Sequence, residues 1–144
     1  MVRRYVLGLL GLAGLTAALM APTSAASKGI VWNEGLAKGL ALAKKQNKPA
    51  LIDFYADWCS WCKRLDSDTY SDAKVIELSK RFVMIKVNTE NDRPTMVKYG
   101  VRSLPTIVIT DPSGREVNRV TGYRPVSSFL DEMQLALREA KASR

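Results

Sequence analysis

Residues 51–63 read Leu51-Ile52-Asp53-Phe54-Tyr55-Ala56-Asp57-Trp58-Cys59-Ser60-Trp61-Cys62-Lys63. The apolar run from Ala50 to Ala56 is short, rich in strand formers and interrupted by a single acid, Asp53, a pattern that predicts a buried central strand. From Cys59 onward the sequence turns helical, so the only two cysteines of the chain fall where a strand hands over to a helix. A disulfide between residues three apart closes a very small loop and gains little from chain entropy, which makes the pair a poor staple. The unpaired N–H groups and the dipole of a helix start favour an anion, and Lys63 and Arg64 add positive charge. Cys59 is therefore expected to ionise more readily than a free cysteine. Cys62, about one helical turn further on, is placed to attack a mixed disulfide formed at Cys59. The spacing points to a pair that opens and closes. Two other readings stay open, a static surface disulfide and a metal clamp. Two thiolates supply half of a tetrahedral zinc site and the chain contains no histidine, whereas copper(I) accepts two soft ligands.

Outward from this stretch the element types alternate. Residues 30–46 place Trp32, Leu36, Leu40 and Ala43 at the spacing of one helix face and end in the helix-stopping Asn47-Lys48-Pro49. After Cys62, a second helical segment follows Ser71-Asp72 with Val75, Ile76 and Leu78 inward, and residues 82–88 form another strand. Residues 92–99 predict a short helix closed by Gly100. Residues 106–110 and 116–121 are strands joined by Asp111-Pro112-Ser113-Gly114, the signal of a hairpin turn. Residues 126–140 form a last helix with Phe129, Leu130, Met133 and Leu137 on one side. The expectation is an α/β fold: a central mixed β-sheet flanked by helices on both faces, its first strands parallel, with a C-terminal β-hairpin plus helix.

A chain of 144 residues, 47% hydrophobic and 25% charged, suits one domain with a real core. Met1 to Arg4 is a basic start, Tyr5 to Ala21 is apolar, and Ala21 to Ala26 offers the small residues that a signal peptidase accepts, with Ala25 or Ala26 last before the cut. Residues 1–26 are accordingly expected to be a signal peptide and 27–144 an exported, periplasmic domain. The apolar run is at the short end of what spans a bilayer, so a membrane anchor is the alternative if the segment stays uncleaved. Arg3-Arg4 fits a twin-arginine signal poorly, and no cysteine directly follows the apolar run to accept a lipid. The net charge of +8 falls to +6 without Arg3 and Arg4, since neither is matched by an acid in the segment. Lys44, Lys45, Lys48, Lys80 and Arg81 lie scattered on amphipathic stretches without clustered aromatics. They read as solvated helix faces rather than a nucleic-acid surface, leaving weak attraction to acidic partners or anionic head groups.

The stretch from Leu51 to Lys63 resembles the active-site segment of the thioredoxin superfamily. Taken with Asp68-Thr69-Tyr70-Ser71-Asp72, Leu104-Pro105-Thr106-Ile107 and Val120-Thr121-Gly122-Tyr123, it is similar to a narrower group: periplasmic thioredoxin-like domains related to the C-terminal domain of transmembrane thiol:disulfide interchange proteins. The resemblance covers roughly residues 30 to 140 and implies a thioredoxin fold with dithiol/disulfide exchange. It implies an exposed nucleophile at Cys59, a buried resolving thiol at Cys62 and a redox-active disulfide between them. Pro105 matches the proline that is cis in this family and faces the pair, turning the backbone of Leu104 outward toward an extended substrate strand. Asp53 corresponds to the buried acid beneath the site. Burial raises its pKa toward the range where it takes the proton of Cys62. Lys86 falls where the family often pairs a lysine with that acid, although the spacing from Cys62 differs from ordinary thioredoxins. Trp58 matches the aromatic that precedes and shields the nucleophile, and Gly122 the glycine after the last strand.

Between the cysteines ordinary thioredoxins carry Gly-Pro, whereas this chain has Ser60-Trp61. Strongly oxidising members place a histidine there to hold the thiolate. Without such a charge the reduced pair gains less stabilisation, which points toward a reductant or isomerase-type exchanger rather than a strong oxidase. Trp61 offers an apolar surface beside Cys59 for a protein partner. The expected function is a thiol:disulfide oxidoreductase acting on disulfide-bearing protein substrates, with no bound cofactor and no metal, recharged by a membrane-bound thiol electron donor. A copper(I) carrier or a non-catalytic thioredoxin-like interaction module is the alternative.

Overall fold

In the computed structural model, which describes residues 28–143, strand β2 (Ala50–Tyr55) has a neighbour on each edge and a layer on each face. The sheet runs β1-β3-β2-β4-β5, with β1 at Trp32–Glu34, β3 at Val83–Asn88, β4 at Thr106–Thr110 and β5 at Glu116–Thr121. β1 and β2 each pair in parallel with β3, whereas β4 is antiparallel to both β2 and β5. The sense of the sheet thus changes at β2. The carboxyl end of such a strand leaves a crevice that the crossing connections do not fill.

Among the described residues five α-helices flank the sheet: α1 (Leu36–Gln46), α2 (Ser60–Arg64), α3 (Ala73–Ser79), α4 (Arg93–Lys98) and α5 (Val126–Ala142). Strand alternation sorts the core into two layers. Leu51, Met84, Ile107 and Ile109 pack with Leu65, Val75, Phe129 and Met133 on the α2–α3–α5 side. Ile52, Phe54, Ile85 and Val108 pack with Ala43, Leu36 and Met96 on the α1–α4 side. The mixed sheet, the hairpin and the closing helix agree with the sequence.

Residues 30–34 do not. The helix expected from residue 30 begins only at Leu36, and Trp32–Glu34 instead form an edge strand in register with Met84, Ile85 and Lys86. Their apparent helical spacing is a coincidence of two layers, since Trp32 packs on one side of the sheet and Leu36 and Leu40 on the other. Free backbone groups along β3 are satisfied by this strand, and Asn33 adds a bond from Nδ2 to the Met84 carbonyl at 3.0 Å. Gly35, at φ 89°, makes the turn into α1 that a side chain would resist. Gly39 lets α1 lie directly on Ile85, whose side chain occupies the space a Cβ would need.

A second feature absent from the sequence reading is a π-helical turn, Leu65–Thr69, that continues α2. Its wider winding follows directly on the first turn after the cysteines, and such turns concentrate at functional sites. Among the described residues no helix is long and apolar enough to cross a membrane; the expected signal segment, 1–26, lies outside them.

The hairpin turn is tied to the end of α5 through one carboxylate. Asp111 Oδ1 accepts from the Ser113 N–H at 2.8 Å, the Ser113 hydroxyl at 2.6 Å and the Arg115 N–H at 3.1 Å, and its Oδ2 accepts from Arg115 Nε and Ser143 Oγ, both at 3.2 Å. Burial pushes this carboxyl up, but the Ser113 and Arg115 bonds outweigh burial and hold it at about 2. A lowered carboxylate stabilises the fold above its unfolded-state pKa, and the gain is lost as pH falls through the folded value. Asp111→Asn is expected to lower unfolding free energy at pH 7 by on the order of 2 kcal/mol, with the difference shrinking as the pH approaches 2. Urea titrations of both proteins across that range measure it.

Candidate active site

At the carboxyl end of β2 the chain turns through Ala56, Asp57 and Trp58, with the Cys59 N–H bonded to the Ala56 carbonyl at 3.1 Å. Cys59 caps α2: its sulfur accepts the Cys62 N–H at 3.1 Å. Cys59 and Cys62 form a disulfide with their Cα atoms 5.3 Å apart. With Ala56 they make a small apolar cluster onto which Tyr55 and Leu104 pack. The expected contrast between an exposed Cys59 and a buried Cys62 is absent in this oxidised form, where both residues are 4% accessible. The disulfide folds the Cys59 sulfur onto the first turn of α2, and Leu104 covers the pair from the side. The exposed groups are instead the two tryptophans that bracket Cys59, Trp58 at 70% and Trp61 at 52%.

Asp53 lies two residues before Tyr55 on the same face of β2, 2% accessible. In the parallel register it stands opposite Lys86, whose Nζ is 3.7 Å from Asp53 Oδ2. Asp53 Oδ1 is buried without a hydrogen bond, as is the Tyr70 hydroxyl. The Lys86 ammonium is pulled the other way by Asp66 Oδ1 at 2.6 Å. It also lies over three aromatic rings, Tyr55 at 4.8 Å, Trp32 at 5.0 Å and Tyr70 at 5.8 Å from the centroids. Burial dominates at Asp53, the Lys86 charge only partly offsets it, and the carboxyl is pushed up to about 7. Burial, then the Asp53 and Asp66 charges, push the Tyr70 hydroxyl well above its ordinary value, so it remains protonated.

On the opposite flank, the Leu104–Pro105 peptide is cis and Pro105 is buried, its carbonyl accepting the Gly122 N–H at 2.8 Å. Among the described residues neither the N–H nor the C=O of Leu104 has a hydrogen-bond partner. Trp61 stacks on Tyr123 with centroids 5.6 Å apart, and these two line a groove of about 370 Å³ with Leu104, Pro105, Gly122 and Arg124. Tyr55 and Leu104 pack on the cysteines, Lys86 lies against Tyr55 and beside Asp53, and Trp61, Leu104 and Pro105 line one groove, while Trp58 stands exposed before Cys59. Asp66, Tyr70, Trp32 and Tyr55 around Lys86 were missed, as were Tyr123 and Arg124. Only the i,i+4 pair Arg64–Asp68, 3.1 Å apart, carried a spacing from which it was readable. No cluster of three or more metal-ligating side chains stands together among the described residues.

A thioredoxin fold with a Cys-x-x-Cys disulfide where the central strand meets α2 defines the class of thiol:disulfide oxidoreductases. Residues 36–137 match the thioredoxin-like domain, and the chain belongs to that family. It is 37% identical over 107 residues to the thiol:disulfide interchange protein DsbD of Vibrio vulnificus, which covers 70% of this chain but only 18% of that relative. A thioredoxin from Thermus thermophilus superimposes with a TM-score of 0.73 at 26% identity, covering 80% of this chain and 92% of the other. A putative disulphide-isomerase from Bacteroides thetaiotaomicron gives 0.67 at 29% identity, covering 77% and 95%.

The raised carboxyl of Asp53 makes stability depend on pH with a definite sign. The unfolded chain releases this proton near its ordinary value and the folded one near 7, so the folded state holds the extra proton in between and stability falls as pH rises across that window. Asp53→Asn is expected to unfold at higher denaturant than the parent above pH 7, by roughly 2–4 kcal/mol, with the advantage gone near pH 4. Guanidinium titrations of the oxidised proteins at both ends of the range decide it.

Proposed function

We propose that this chain is an exported dithiol reductant for disulfide-bearing proteins, a role supported by the Cys59–Cys62 disulfide capping α2 and by the buried, raised carboxyl of Asp53, whose partner Lys86 shares Tyr55 with the cysteine cluster. In the reduced protein the Cys59 thiolate attacks one sulfur of a substrate disulfide. A new Cys59–substrate bond forms and the other substrate sulfur leaves as a thiolate. The Cys62 N–H, aimed at Cys59 Sγ, stabilises negative charge on that sulfur before attack. Cys62 then passes its proton to Asp53 and displaces the substrate from Cys59. The pair becomes a disulfide and the substrate gains two electrons and two protons in all. Lys86 holds the Asp53 carboxylate that exists before it accepts the proton.

The free N–H and C=O of Leu104 supply a bridge for an extended substrate backbone beside the pair, and the exposed Trp58 and Trp61 offer apolar surface to a partner. Ser60-Trp61 puts no cation between the cysteines, which supports the reducing direction. A dithiol at the membrane re-reduces the oxidised pair, because the periplasm is not held reduced by a thiol buffer. The N-terminal segment 1–26 supports export, and interchange protein is what the Vibrio vulnificus relative is named.

Equilibration of the chain with a glutathione or dithiothreitol buffer, followed by alkylation and mass measurement, tests this directly. The expected potential lies near the about −270 mV of thioredoxins, and a value close to the about −120 mV of strong oxidants overturns the reducing role. Cys62→Ser is expected to accumulate a mixed disulfide with substrate through Cys59, and Cys59→Ser to lose turnover by at least about 10³-fold, since no attacking thiolate remains.

A further inference from the structure

Beside the cysteine pair, on the side away from Asp53, the groove of about 370 Å³ has one apolar wall and one cationic end. The wall is prebuilt. Trp61 and Tyr123 stack at 5.6 Å, and the Arg64 guanidinium lies 5.5 Å from the centroid of each ring. Asp68 accepts from Arg64 Nε at 3.1 Å and from the Tyr123 hydroxyl at 3.5 Å, so the charge of Arg64 is matched within the wall. Arg124 differs. Its Nη1 is anchored to the carbonyls of Thr121 at 3.2 Å and Tyr123 at 3.0 Å, yet no carboxylate pairs with it among the described residues. No acidic side chain lines the groove.

We propose that this groove is a side-chain subsite that selects partner segments carrying an aromatic or large aliphatic residue beside the attacked cysteine and a carboxylate within reach of Arg124. The inference rests on the exchange function proposed above and adds its substrate class. An apolar side chain between Trp61 and Leu104 removes both from water while the backbone bridges at Leu104 hold the scissile disulfide over Cys59. A carboxylate at Arg124 meets an unpaired guanidinium whose position is already fixed by two backbone carbonyls, so little ordering remains to be done on binding. A lysine at the same place meets like charge with no acid to relieve it. Trp61 thus serves recognition.

The test uses the purified full chain in its reduced form and short peptides whose single cysteine is capped as a mixed disulfide with the same small thiol. Phe-Glu, Phe-Gln, Phe-Lys and Gly-Glu flank that cysteine on either side. Stopped-flow rates at low ionic strength are expected to favour Phe-Glu over Gly-Glu by about tenfold and over Phe-Lys by about fivefold, the charge preference fading with added salt. Arg124→Gln is expected to bring the Glu-to-Gln ratio to one with the Phe-to-Gly ratio kept, and Trp61→Ala to do the reverse. Equal rates across the peptides, with a small symmetrical disulfide still reduced, overturn the subsite alone. Failure to reduce any disulfide, the small one included, overturns the exchange function and the subsite with it.

Discussion

A carboxyl group inside the central strand is the constraint to which the neighbouring structure answers. Asp53 has sheet on both sides and protein on both faces, so its charge has no water to stabilise it. The cation one register across, Lys86, is itself 13% accessible and has the same difficulty. Its ammonium is accommodated by a contact to Asp66 and by the faces of three rings. The members of that group come from three elements: Trp32 from β1, Tyr55 from β2, and Asp66 and Tyr70 from the π-helical turn and its end. The edge strand and the wide turn look unrelated in the sequence, but both bring partners to one buried ion. Lys86 is shared between two acids and sits nearer the exposed one, which leaves Asp53 only weakly held as a carboxylate.

The same arrangement couples the acid to sulfur. The ring of Tyr55 lies under the Lys86 ammonium and also packs on the cysteine cluster, so the charged group and the disulfide share a wall. In the proposed exchange Cys62 gives up a proton, and Asp53, whose carboxyl burial pushes up to about 7, is a group able to take it near neutral pH. A carboxylate held firmly by a close lysine would be a poorer base, and an isolated buried one would remain protonated throughout. The 3.7 Å separation keeps Asp53 between those limits.

What was legible in the sequence is what local chemistry decides. The apolar run of β2 announces burial on both faces, Asp111-Pro112-Ser113-Gly114 announces the hairpin, and Phe129, Met133 and Leu137 announce the inner face of α5. Residues 30–34 misled because a three-residue strand has too few positions to show its alternation, and its identity is set by the free edge of β3 some fifty residues away. The π-helical turn left no trace for a related reason, since one extra residue in a winding shifts no hydrophobic pattern strongly enough to be seen. Cys59, Cys62, Asp53 and Pro105 were readable from the active-site segment and the prolyl turn. Arg124 and Tyr123 were not, because their proximity to Trp61 depends on how the hairpin returns to β2.

The cysteine pair therefore separates two kinds of control. Linked to it through Tyr55, the buried Asp53 with the part-buried Lys86 and the exposed Asp66 sets, in the proposed exchange, the cost of moving a proton. Beside it, the groove from Trp61 to Arg124 meets whatever backbone lies along Leu104. Leu104 touches the cysteine cluster directly, whereas the groove's charged end at Arg124 is anchored on the hairpin and has no contact with Lys86 or Asp53. The two are joined through the Arg124 backbone, by the Thr69 hydroxyl of the π-helical turn donating to the Arg124 carbonyl at 2.7 Å, and the Arg124 guanidinium takes no part in that bond. If exchange runs as proposed, substitution of the Arg124 side chain changes which partner reacts and leaves the Asp53–Lys86 contact in place, while a change at Asp53 or Lys86 alters every partner alike. On the proposed function, recognition at the groove and proton transfer at Asp53 use different side chains around one disulfide, which lets partners diversify without the chemistry being rebuilt.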